Sequence, residues 1–138
     1  MFQRDFLMRE LKRVLEGITA ALGKSKKGET SLALDTLGAL YDDLLAEHRA
    51  LLDHTDARTM ATLLGTKERI AAVAHVLAAE ASVLEDDGRG ADGLMRRARA
   101  TELMLEAEVL GYDDEGAIDD WAVPSALLSA RARELKGS

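Results

Sequence analysis

The chain has 138 residues, no cysteine, and a formal net charge of −7, with 47% hydrophobic, 31% charged and only 4% aromatic residues. This length and apolar content fit one folded domain and exclude a disordered chain. The lack of cysteine excludes disulfides and thiol chemistry, and the acidic balance argues against nucleic acid, whose nonspecific binding rests on Lys and Arg neutralising phosphates.

The apolar residues are mostly Ala and Leu, which enter a helix at little cost, so an all-α chain is expected. Phe6, Leu7, Leu11, Val14, Leu15, Ile18 and Leu22 recur at spacings of three and four and predict a helix over residues 2–23, ended by Gly23. After the turn Lys24–Gly28, Thr30 or Ser31 caps a second helix over 30–53, with a wide apolar surface that includes Ala33, Leu37, Tyr41, Leu44 and Leu51. Asp56 caps a short helix over 56–64, stopped by Gly65. Thr66 caps a long, alanine-rich helix over 66–85, with Ile70, Val73, Leu77, Ala81 and Leu84 facing inward. A turn at Asp86–Gly90 follows, and Asp92 caps a helix over 92–110 that turns Leu94, Met95, Ala98, Leu105 and Val109 inward. The acidic loop 113–120 leads to Pro124, which suits the first turn of a last helix over 123–136. Residues 1–138 are therefore expected to form a single all-helical domain.

The first residues, Met1–Phe6, lack the apolar core of a signal peptide. No apolar run approaches the roughly 18 residues of a membrane span. The expectation is a cytoplasmic protein without a membrane partner.

Two glycine turns echo one another. Gly28 is followed five residues later by Ala33, and Gly88 five residues later by Gly93. A helical hairpin needs a turn glycine and then a small residue where its helices touch. With Leu77, Ala81, Leu84 and Ala100, the second copy resembles a tetratricopeptide repeat, a helical hairpin that stacks on its neighbours. The first copy matches through Gly28, Ala33, Leu37 and Leu40. Its first helix matches through Leu11, Val14, Leu15 and Ile18, given a turn about six residues longer. The chain is also similar to short bacterial proteins of unknown function with this helical layout, which implies no activity. The tetratricopeptide resemblance implies stacked hairpins with an added short helix and a C-terminal capping helix. It also implies a concave face, lined by the first helix of each pair, that binds a peptide or partner protein. On this chain that face includes His75, Ala78, Ser82 and Glu85.

Catalytic signatures are lacking. Gly17–Ser25 has one residue too many for a phosphate-binding loop, and Gly23–Thr30 carries Glu29 where the lysine belongs. His48, His54 and His75 form no His-x-x-x-His or Glu-x-x-His pair. Asp43 and Glu47 lie four apart on a solvated face beside Asp42, where nothing splits their pKa values into an acid and a base. The loop 113–120 breaks the ligand alternation of a calcium-binding EF-hand, and its acids suit capping of the helix that follows. Arg96, Arg97 and Arg99 read as surface ion pairs to Glu102 and Glu106. The expected function is a non-enzymatic protein–protein interaction module with a protein or peptide partner, a possible homodimer, and neither cofactor nor metal. The alternatives are a structural or regulatory subunit of a larger complex and a helical-bundle enzyme with an unrecognised pocket.

Overall fold

The computed structural model describes residues 2–137, with side chains from Asp5 onward, so the outermost residues of the expected domain lie outside it. The described residues are helical with no strand: α1 (Phe2–Lys26), α2 (Thr30–Leu45), a 3-10 helix (Ala46–Leu51), α3 (Ala57–Leu64), α4 (Lys67–Asp86), α5 (Gly90–Val109), α6 (Ala117–Trp121), a 3-10 turn (Ser125–Leu127) and α7 (Ala130–Gly137).

The organising element is α4. Twelve of its twenty residues are buried, which places it at the centre of the bundle. It packs against α1, α2, α3 and α5. Its alanines allow close approach. At Gly93 of α5, an added Cβ would stand 2.8 Å from the Ala81 carbonyl oxygen, so only glycine fits that crossing.

The two hairpin turns are the same object. In each, a left-handed glycine follows the incoming helix, with φ of +78° at Gly28 and +79° at Gly88. The Glu29 N–H donates to the Lys24 carbonyl and the Gly28 N–H to that of Ser25. The matching pairs are Arg89 to Leu84 and Gly88 to Glu85. This is the Schellman closure of a helix C-terminus, reached without strain because glycine tolerates positive φ. The expected longer first turn is thereby corrected: α1 runs through Gly23 to Lys26, and both turns have the same length.

Aligning the turns places Ala21 opposite Ala81, both fully buried. It also pairs Gly17 with Leu77 and Leu40 with Ala100. At Gly17 a Cβ would meet Leu40 Cδ2 at 3.0 Å. The first hairpin therefore puts its small residue on the incoming helix, while the second puts a buried Leu there and a buried Ala on the return.

Other expectations need correction. α2 is capped by Glu29 backbone geometry with no side-chain bond, and it ends at Leu45, not residue 53. Ala46 turns the chain at φ +47° into the 3-10 helix. α5 begins at Gly90, so Asp92 lies inside its first turn, 3.6 Å from Arg89, and does not cap it. Leu94, Met95 and Val109 are exposed, while Leu103 and Met104 fill the core. The helix expected over 123–136 is divided. Pro124 is extended, and Ser129 Oγ accepts from Ala132 N–H to start α7. The caps at Asp56 and Thr66 are as expected, accepting from Thr59 N–H at 2.7 Å and Arg69 N–H at 3.3 Å.

Candidate functional site

Two of the grooves that border α4 bring its polar side chains together with those of other elements. One lies between the first helices of the two hairpins and the segment after α5, with a volume of about 1080 Å3. Its apolar wall is one stripe of α1, Leu7, Met8, Leu11 and Leu15. Met8 and Leu15 are exposed, at 52% and 43%. The turn alignment makes Leu7, Met8 and Leu15 equivalent to Lys67, Glu68 and His75 of α4, which also line the groove. The groove thus runs along the same face of both first helices.

The opposite wall is acidic. Asp113, Asp114, Glu115 and Asp120 line it and join Glu68, against a single lysine, Lys67. The loop is held in shape by its own carboxylates. Asp113 accepts from Glu115 N–H at 2.9 Å, and Asp114 accepts from Gly116 N–H at 3.1 Å and Ile118 N–H at 3.0 Å. Asp114 therefore bonds the first turn of α6, not a helix at Pro124. Just outside the lining, burial and then the Asp114 carboxylate push the Glu108 carboxyl up to about 7. Burial also raises the Tyr112 phenol, which keeps its proton.

His75 sits in this groove with its ring edge-on to Trp121 of α6, centroids 5.7 Å apart and planes at 79°. Burial lowers its pKa against the opposing pull of Asp114, so the ring is neutral at pH 7. The structure separates the other residues expected on the concave face. Ala78 is buried. The Ser82 hydroxyl donates to the Ala78 carbonyl and accepts from Arg97 at 3.2 Å. Glu85 accepts from Arg97 at 2.5 Å. Ser82 and Glu85 thus form one polar cluster with α5, while His75 faces the groove with α1 and α6.

The second groove, of about 510 Å3, is lined by Asp53, Glu80, Arg89, Arg96, Arg99 and Glu102 among others. Its charges are mutually engaged. Arg96 donates to Asp53 at 2.5 Å and lies 3.4 Å from Glu80, and Glu80 accepts from the Tyr41 hydroxyl at 2.7 Å. Burial, reinforced by Glu80, holds the Tyr41 phenol well above its usual range, and the Arg96 hydrogen bond lowers Asp53. Arg99 donates to the Leu52 and Thr55 carbonyls and pairs with Glu102. These arginines tie α5 to the 52–55 segment before α3 and to α4, which sequence spacing along α5 alone did not disclose. Glu106 pairs with Arg131 of α7 instead.

Neither groove holds a nucleophile beside a base, and the described residues contain no group of three His, Asp or Glu placed to hold a metal ion. His48 lies 3.6 Å from Glu47 in the 3-10 helix. No helix among the described residues is long and apolar enough to cross a membrane. No protein-family model, curated protein or solved structure matches the chain.

Proposed function

We propose that this chain is a non-enzymatic interaction module of the cytoplasm that docks a partner protein or peptide in the groove between α1, α4 and the 111–120 loop. The observation that carries this reading is the apolar stripe of α1 along the groove, with Leu15 and Met8 about half exposed, set opposite a wall of carboxylates. A contiguous apolar surface rimmed by polar groups marks an interaction site. The reading includes a tetratricopeptide-like stack, supported by the matched glycine turns and by a groove along equivalent faces of α1 and α4. His75 is the partner-facing residue among those singled out in the sequence, and Ser82 and Glu85 border the α4–α5 seam. The polar groups around the groove already have structural duties: Asp114 bonds the first turn of α6 and His75 packs on Trp121. This favours binding over catalysis.

The test places the photo-crosslinker benzoylphenylalanine at Leu15, with a control at exposed Lys26 at the far end of α1. Irradiation in cells is expected to give a discrete protein adduct from position 15 and none from position 26. A folded Leu15 variant that gives no discrete adduct overturns the proposal.

A further inference from the structure

We infer that the occupant of this groove is an amphipathic α-helix with a basic flank, supplied by the partner protein. The inference rests on the interaction-module reading and adds the chemistry of what is bound.

Charge decides the first part. Glu68, Asp113, Asp114, Glu115 and Asp120 face the groove against Lys67 alone, and His75 contributes no positive charge when neutral. Coulomb interactions at such a surface act over roughly the 8 Å Debye length of physiological salt, which is the scale of a groove wall. Anionic occupants, including nucleic acid and acidic lipid surfaces, meet repulsion there. A second copy of this chain, with its net charge of −7, carries an overall charge of the wrong sign. Lys and Arg side chains on one flank of an occupant meet five carboxylates.

Backbone hydrogen bonding decides the second part. An extended peptide gains affinity by adding a strand to an open sheet edge. The described residues form no strand, so no such edge is offered. A helix lying against Leu7, Leu11 and Leu15 satisfies its own N–H and C=O groups internally and so asks no backbone partner of the groove. Those three leucines recur every four residues along α1, a stripe of about 12 Å at 1.5 Å per residue. This is a little over two turns, and it meets a partner helix carrying apolar residues at i, i+3 or i+4, and i+7. The trough between α1 and α4 supplies two helical ridges for a third helix to lie between.

Fluorescence anisotropy on the full chain tests this with three labelled 18-residue probes. One is a Leu/Lys amphipathic helix, one has every Lys changed to Glu, and one keeps the Lys but has two interior prolines. The Leu/Lys helix is expected to bind about tenfold or more tighter than either other probe, a difference of about 1.4 kcal/mol or more. Its affinity is expected to fall as salt rises. Leu15→Asp should weaken it about tenfold and Asp120→Lys about threefold, with unchanged circular dichroism; both positions are exposed. Equal binding of the Glu probe, or of the proline probe, overturns the inference and leaves the docking groove intact. Binding unaffected by Leu15→Asp overturns it by placing the helix elsewhere. A Leu15 photo-adduct of twice the chain mass overturns it in favour of a second copy. Loss of every Leu15 adduct strikes the underlying groove reading itself.

Discussion

In the first hairpin the small residue stands on the incoming helix, Gly17, and the large one on the return helix, Leu40; in the second the incoming helix carries Leu77 and the return carries Ala100. The turns between them close with the same pair of hydrogen bonds and the same left-handed glycine. What the two hairpins share is backbone closure and one large and one small residue at the matched positions, not the side chain at any one position. The difference also has an energetic side. Leu77 is fully buried under neighbours of α4, whereas Leu40 is half-buried at the edge of the bundle. Both hairpins feed one core, with α4 of the second at its centre.

The strongest way to break this comparison is Leu77→Ala. Removing a fully buried Leu costs about 2–5 kcal/mol, whereas Leu40→Ala, part of whose surface is already in water, is expected to cost less than half as much. Urea unfolding of both variants measures the difference, and equal losses would remove the asymmetry. Gly17→Leu is the next largest perturbation. Its Cβ meets Leu40, and overpacking partly offset by better helix propensity leaves a net cost of roughly 1 kcal/mol. Combining it with Leu40→Ala recreates the order of the second hairpin and should recover about 0.5 kcal/mol or more beyond additivity. A strictly additive double variant would show that the pairing does not set the helix spacing. The smallest effect lies beyond the second hairpin, which alone continues into the acidic loop. Glu108 has its folded pKa raised to about 7 by burial and by Asp114. A carboxyl raised on folding favours the folded state while protonated, and that contribution fades as pH climbs through 7. Glu108→Gln should therefore raise the melting temperature at pH 8 and leave it nearly unchanged at pH 5, a small shift because the side chain is exposed.

Local signals in the sequence carried far. Asp56 and Thr66 announce their helices because capping involves neighbours three residues away. The glycine turns were legible for the same reason. The end of α2 was not, since Leu44, Leu51 and Leu52 continue a helical spacing. The chain breaks at Ala46, and the following segment is held by Arg96 and Arg99 from over forty residues away. Leu94 and Met95 follow the apolar period of α5 but project beyond the helices that would cover them. In the candidate site, His75 was legible as a first-helix surface position. Its contact with Trp121 was hidden, because it depends on a loop whose path is set by Asp114. The spacing of Leu7, Leu11 and Leu15 announces a helix but not what its stripe meets, since a stripe that packs inward and one that faces a groove have the same period.

The chain of Tyr41, Glu80, Arg96 and Asp53 joins α2, α4, α5 and the segment before α3. On the alanine-rich faces of α4 a neighbour that slid one turn, about 5.4 Å, would again meet methyl groups, although the tight Gly93 crossing at Ala81 opposes it. Such a slide keeps methyl against methyl but strands the Glu80 carboxylate, only 18% exposed, without its phenol and guanidinium. Uncompensated charge in that setting costs several kcal/mol. The polar chain therefore adds to the Gly93–Ala81 crossing a second check on how the helices align along α4.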